Sequence, residues 1–315
     1  MAFRLTILGT SSALPTSDRY PTAHVLNVHE RLFLIDCGEG TQMQMRRYRI
    51  RFGRINHIFI SHLHGDHFFG VYPLLSTYNL MGRKTPLNLY APAPAEELIT
   101  RHLADFDINL GFDLAVHTVS GRSLKQVLDD KRVEVFSFPL KHRIPTYGYL
   151  FREKMPDRNM IKEKITEYGL SIEEIATARR GGDIIRENGE IIPCTEVTME
   201  PRRPCTEVTM EPRRPASYAF CSDTGWFKKL PSYVKGVDLL YHEATFGADN
   251  DALAVKTLHS TASHAARVAL EAGAGRLLLG HFSSRYRSTT MLEDEARNIF
   301  PATEAAREGN TYEIG

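Results

Sequence analysis

The segment Ser61-His62-Leu63-His64-Gly65-Asp66-His67 places three imidazoles and a carboxylate within six residues, directly after the apolar run 56–60. Imidazole nitrogen and carboxylate oxygen are the borderline donors that zinc takes, and clustering at this spacing reads better as a metal motif than as a set of surface histidines. On an extended chain His62 and His64 point to the same side. Asp66 and His67 then fall on the turn into the next helix and face a neighbouring position. A pair of metals needs more ligands, and His142, Asp223 and His281, each just past another apolar run, are candidates. Each alone reads as an ordinary polar residue at a strand end; with the 62–67 element they complete a set of seven.

The elements that must hold these groups are short. Apolar, β-branched runs bounded by breakers occur at 5–8, 24–28, 31–35 and 56–60, then at 87–91, 133–140 and 147–151, and again at 218–222, 239–242 and 276–280. All read as strands. Residues 68–81, 263–272 and 289–300 read as helices, and 159–180 as a charged, helix-forming insertion with an imperfect apolar stripe at Ile161, Ile165, Leu170 and Ile175. Strands mixed with crossover-length helices predict a layered α/β domain. Residues 193–203 recur unchanged as 204–214. A single tandem copy is too short for a solenoid and reads as a duplicated, proline-bounded surface loop.

A chain of 315 residues, 42% hydrophobic and 24% charged, without a charged tail, fits one large or two ordinary globular domains. The net charge of +1 creates no global field for nucleic acid, so RNA binding must rest on local patches. The densest is Arg46, Arg47, Arg49, Arg51 and Arg54, interleaved with Tyr48 and Phe52. It reads equally as a phosphate-binding stripe, a solvated helix face or a subunit interface. Cys37, Cys194, Cys205 and Cys221 form no Cys-x-x-Cys pair, which suits a reducing cytoplasm. No apolar stretch is long enough to span a bilayer, and the opening residues read as a strand rather than a leader.

Further segments make the reading specific: residues 9–16 with Arg19, 36–42 (Asp-Cys-Gly-Glu-Gly-Thr-Gln), Lys141-His142, 221–225, His242-Glu-Ala-Thr-Phe246, His259-Ser-Thr-Ala262 and Gly280-His-Phe-Ser-Ser-Arg-Tyr286. Together with the 62–67 motif, over most of the chain, they resemble the metallo-β-lactamase superfamily and, within it, the ribonuclease Z family. The resemblance implies an α/β fold built as a four-layer αββα sandwich. It implies one domain over 1–315, with an inserted arm at about 152–216 that includes the duplicated loop 193–214. It further implies two zinc ions per subunit, one on His62, His64 and His142, the other on Asp66, His67 and His281, with Asp223 bridging. Asp66 and His259 take the catalytic roles, the first on the water and the second at the phosphate or the leaving 3′ oxygen. His242 and Glu243 either orient a ligand imidazole or hold a loop, while Ser11, Ser12, Arg19 and Arg285 are candidates for the substrate side or for turn chemistry.

The implied substrate is precursor tRNA, cleaved by a cytoplasmic homodimer with no membrane contact. In the arm, Tyr168-Gly-Leu-Ser-Ile-Glu-Glu174 stands where the family's Gly-Pro-rich element is expected. Two other readings stay open: an enzyme of the same fold acting on a small phosphodiester, aryl sulfate or cyclic nucleotide, and a metal-bearing RNA-binding protein without turnover.

Overall fold

The computed structural model describes residues 3–14, 16–155, 157–199 and 214–315. They form two compact units, one of Lys154–Pro215 and one of the flanking chain. Residues 200–213, with Cys205 and nearly all of the second repeat copy, lie outside the described residues.

The larger unit holds two mixed sheets of seven strands each. The first runs Thr311–Glu313, Phe3–Gly9, Ala23–Val28, Arg31–Ile35, Ile55–Phe59, Leu87–Ala91, Leu114–Thr118. The second runs Thr303–Ala305, Arg276–Gly280, Leu239–Glu243, Ser217–Cys221, Tyr147–Glu153, Val133–Pro139, Lys125–Asp129. Because side chains alternate across a strand, each central strand feeds two layers. Leu26, Phe33 and Phe59 face the other sheet, where Tyr149, Phe151, Tyr218 and Phe220 meet them, with Phe59 edge-on to Tyr149 at 5.2 Å and to Phe151 at 5.3 Å. Val25, Leu34 and Ile58 face outward onto Met45, Leu74, Leu75 and Ile99 of the helices Thr41–Arg47, Val71–Leu80 and Ala95–Asp105. On the far side Leu240, Leu277 and Leu279 meet Ala265, Val268, Ala269 and Leu292 of Ala262–Ala272 and Thr290–Arg297. These three apolar layers make an αββα sandwich, with roughly 1.5–3 kcal/mol for each large side chain fully buried.

The expected single helix over 68–81 is two, Gly65–Phe68 and Val71–Leu80. The break lies where the Gly70 N–H donates to the carbonyl of Cys37, an approach so close that a Cβ on Gly70 would stand 2.0 Å from the Gly38 oxygen. Strands at Leu114–Thr118, Lys125–Asp129, Thr303–Ala305 and Thr311–Glu313 and the helix Ala95–Asp105 complete the layers without having been read from sequence. The first two strands are mostly exposed and the last two are three residues long, so they carry little pattern.

The smaller unit has its own core of Leu170, Ala178, Ile184, Ile192, Cys194 and Val197. Its helices Lys162–Glu167 and Ile172–Arg179 are separated by Gly169 at φ 57°, and the second opens with a capping box between Ser171 and Glu174.

Candidate metal centre

The chemistry-bearing residues collect at one edge of the sandwich because parallel strands deliver their C-terminal ends together. Ile35 pairs with Phe59, so Asp36 and the 61–67 loop leave their strands side by side. Cys221 pairs with His242 and Glu243 with Gly280, so Asp223, Thr245 and His281 emerge at one level of the second sheet. His142 arrives from the antiparallel strand Val133–Pro139.

Two ligand sets result, and a third, overlapping group joins His259 to Asp223 and His281. His62, His64, His142 and Asp223 each offer an atom within 4.8 Å of the others, and so do Asp66, His67 and His281. His64 Nδ1 lies 2.9 Å from His62 Nε2 and 3.4 Å from His142 Nε2. His67 Nε2 and His281 Nε2 stand 3.1 Å apart, and each lies 3.3 or 3.4 Å from Asp66 Oδ2. Asp223 faces both sets, Oδ1 at 3.2 Å from His281 and 3.3 Å from His67, Oδ2 at 3.5 Å from His62 and 3.8 Å from His142.

The outer nitrogens of these rings decide what the inner ones are. His142 Nδ1 donates to the Leu258 carbonyl at 3.0 Å, and His67 Nδ1 to Asp36 Oδ2 at 2.7 Å. His281 Nδ1 faces Thr245 Oγ1 at 2.9 Å, whose own proton goes to Glu243 Oε2 at 2.7 Å. His62 Nδ1 faces Ser61 Oγ at 3.0 Å, whose proton goes to Asp36 Oδ2 at 2.8 Å. With its proton held outside, each of these rings turns a lone pair inward, as a metal ligand must. Lone pairs and carboxylate oxygens packed this closely repel unless a cation lies among them. Among the described residues, buried Asp223 Oδ1 has no hydrogen-bond donor of its own. Burial works against charge on His67, yet Asp223, Asp66 and Asp36 outweigh it and hold its pKa well above the ordinary value. The side of the pocket built by Asp66, His67 and Asp223 therefore favours positive charge, while burial lowers the pKa of His62, His64 and His142 and keeps those rings neutral, as metal ligands must be.

Asp36 opens the 36–42 segment but is a site residue to which sequence reasoning gave no role. It is buried, sits at φ 55°, and accepts the Ser61 N–H at 2.7 Å besides the bonds from Ser61 Oγ and His67. A carboxylate immediately after the apolar strand 31–35 was the available signal.

His259 stands beside the ligand sets, its ring 5.0 Å from that of His142 and 5.6 Å from that of His281. Its Nδ1 lies 2.9 Å from Glu243 Oε1. Burial lowers its pKa, but Glu243 and Asp223 together raise it to about 9. Glu243 also accepts the N–H groups of Thr224, Thr245 and Ser260, so it braces three loops as well as the His259 ring. His242 turns the other way: it is buried and bonds through Nδ1 to the Glu243 carbonyl at 2.7 Å. The remaining candidates mostly build loops. Ser11 Oγ donates to the Leu14 carbonyl, Arg19 to the Tyr286 carbonyl, and Arg285 to Asn250 Oδ1 while lying over the Phe246 ring. Ser12 lines the cleft, and the next residue's N–H, that of Ala13, donates to Asp66 Oδ2 at 2.7 Å.

The cleft over the two sets encloses about 550 Å³ and is bordered by Arg143, Phe246 and His259. By side-chain exposure His259 is 15% and Asp66 11% exposed, against 3% or less for His62, His67, His142, Asp223 and His281, and His64, which also lines the cleft, is partly exposed as well. His64, Asp66 and His259 are thus the site groups that reach the cleft surface.

Comparison with known proteins agrees with this architecture. A family profile described as Anti-Pycsar protein Apyc1 matches residues 3–106. The chain is 43% identical over 308 residues to a protein of Bacteroides fragilis named Ribonuclease Z, covering 97% of each chain. Among solved structures it is similar to human tRNase Z, short form, with a TM-score of 0.70, 26% identity and 99% of both chains covered. It is also similar in fold to a metallo-β-lactamase fold protein of Bacillus subtilis, with a TM-score of 0.69 and 17% identity, covering 99% of this chain and 98% of the other. An end-to-end match at that identity, on a sandwich of this topology with metal-binding groups at its strand ends, settles the family: the chain is a metallo-β-lactamase-fold protein and belongs to the ribonuclease Z family.

Proposed function

We propose that this chain is a zinc-dependent endoribonuclease that removes the 3′ trailer from tRNA precursors and leaves a 3′ hydroxyl on the tRNA. The observation that carries the reading is the pairing of two ligand sets across Asp223 with a glutamate-braced histidine, His259, in a chain 43% identical to proteins named Ribonuclease Z. Two zinc ions would be held per subunit, one by His62, His64 and His142 and the other by Asp66, His67 and His281, with Asp223 facing both sets. Such a pair, once bound, supplies an activated water and screens charge on a phosphate.

The protein's own groups do the rest. Burial works against charge on Asp66, but His67 and His281 outweigh it and hold its carboxyl well below the usual range. Asp66 therefore stays ionised and orients the attacking water as a hydrogen-bond acceptor. His259, with Nδ1 given to Glu243, presents Nε2 to the cleft and donates a proton to the departing 3′ oxygen. The reading extends to a homodimer acting in the cytoplasm, for which family membership is the support. Among the described residues no helix is long and apolar enough to cross a membrane.

The test is cleavage of a 3′-extended tRNA transcript by zinc-loaded protein, beside an unstructured RNA of equal length. A cut next to the discriminator nucleotide is expected, abolished by Asp66→Ala and slowed roughly 100-fold or more by His259→Ala. Turnover of a small phosphodiester with no selective cutting of tRNA would overturn the reading. Sedimentation of the zinc-loaded protein at micromolar concentration checks the dimer.

A further inference from the structure

Beside the catalytic cleft lies a second hollow whose residues have no role in the chemistry described above. It encloses about 500 Å³ between the helices Thr41–Arg47 and Val71–Leu80, and Gly40, Met43, Phe69, Tyr72 and Pro73 line it. Glu39 and Phe69 border both spaces, so the hollow continues the cleft. Phe69 comes two residues after His67 and is 52% exposed; Met43 is 62% exposed. The Phe69 ring lies over Gly65, where a Cβ would stand 2.6 Å from it. A glycine inside the metal motif thus leaves room for an aromatic face at the rim of the cleft.

One helical turn beyond Met43 the surface changes character. Arg46 and Arg47 stand three and four residues on, where helical spacing keeps them near Met43, and Arg49 and Arg51 follow. All four are exposed, and among the described residues none lies in an ion pair, whereas Arg54 meets Glu30 at 3.4 Å. An aromatic platform that leads from a phosphodiester cleft to arginines outside any ion pair among the described residues, Arg47 lying over the Tyr48 ring, has the chemistry of a single-strand binding track, with stacking for a base and cations for the phosphates beyond it.

We propose that Phe69 stacks on the base of the first trailer nucleotide, and that Arg46 and Arg47 bind the phosphates downstream. The inference rests on the function proposed above and commits to one side of the cut. His259 serves the departing 3′ oxygen, which belongs to the tRNA, and packs against His142, His281 and Phe246. Phe69 lies instead over the Gly65 backbone next to Asp66, which leaves that rim to the nucleotide that keeps the phosphate. Stacking tolerates any base, so this subsite would hold trailers of differing sequence.

The test uses zinc-loaded protein and two 3′-extended tRNA transcripts that differ only in whether the first trailer nucleotide carries a base or is abasic. Wild type is expected to lose roughly fivefold or more in kcat/KM on the abasic substrate. Phe69→Ala is expected to lose as much on the intact substrate and to treat the two alike, while Phe69→Tyr keeps the preference. With long trailers, Arg46→Ala combined with Arg47→Ala should raise KM and flatten its salt dependence, with little effect when the trailer is one nucleotide. Selective cutting at the discriminator by wild type with no preference for the intact trailer would overturn this inference and leave the function standing. A preference that survives Phe69→Ala in full would place the base elsewhere and overturn it too. Absence of selective tRNA cutting would overturn both.

Discussion

Replacing Asp36 by asparagine isolates what a buried carboxylate does for a metal site that it never touches. Oδ1 accepts the Ser61 N–H at 2.7 Å, while Oδ2 accepts Ser61 Oγ at 2.8 Å and His67 Nδ1 at 2.7 Å. An asparagine that keeps its oxygen toward the Ser61 amide turns its NH₂ group toward His67. Donor then meets donor, and the imidazole must move its proton to Nε2, the atom that faces His281 and Asp223, or rotate out of line. A hydrogen bond to a charged group is worth about 2 kcal/mol, or roughly 30-fold in an equilibrium constant. That loss should fall on the zinc held by Asp66, His67 and His281. The other set should change less, because Ser61 Oγ, which also loses Asp36 Oδ2 as an acceptor, can pass its proton to Ser222 Oγ at 2.9 Å and still accept from His62 Nδ1. Competition with a chromogenic zinc chelator, read as two separate equivalents, measures this, and thermal unfolding of the metal-free proteins separates it from loss of fold. Two equivalents bound within twofold of wild type, or a loss confined to the His62, His64 and His142 set, would refute the reasoning.

Thr245→Val keeps the shape of the side chain but removes the acceptor of the His281 Nδ1 proton, so the same zinc equivalent should weaken about tenfold, as the same titration reads. Gly70→Ala drives a Cβ to 2.0 Å from the Gly38 carbonyl oxygen, and since both partners are backbone, about 1–3 kcal/mol of stability should be lost in urea unfolding. His24 is buried, and burial together with neighbouring His67 lowers its pKa to about 3. Above pH 6.5 it is neutral folded and unfolded and has no effect. Between pH 6.5 and about 3 only the unfolded chain takes up the proton, so stability falls with acid by about 1.4 kcal/mol per pH unit from this residue. Urea unfolding of metal-free wild type and His24→Asn at pH 6.5 and 5 should show the variant flatter by that slope; equal slopes would sink the assignment.

What was legible in the sequence was local. The 62–67 motif, the strands around Leu34, Ile58, Leu240 and Leu278, and the helix Ala262–Ala272 announce themselves through residue type and period, because their neighbours in sequence are also their neighbours on the element. The basic run was legible as charge but not as structure. It straddles the end of the helix Thr41–Arg47, with Arg49 at φ 55° and a 3-10 turn at Phe52–Arg54, so it is no single helix face.

The sequence by itself determined which groups are available: seven nitrogen and oxygen donors, in the 62–67 element and just past other apolar runs, and a histidine apart from them. Only the tertiary structure decided which atom of each ring faces inward. That choice depends on Asp36, Ser61, Thr245 and Leu258, which reach the ligands from as far as 116 residues away in the chain, in the case of Leu258 and His142. Hydrogen-bond direction is set by what lies behind a side chain in space. No local spacing encodes it, so Asp36 received no role while its partner His67 did.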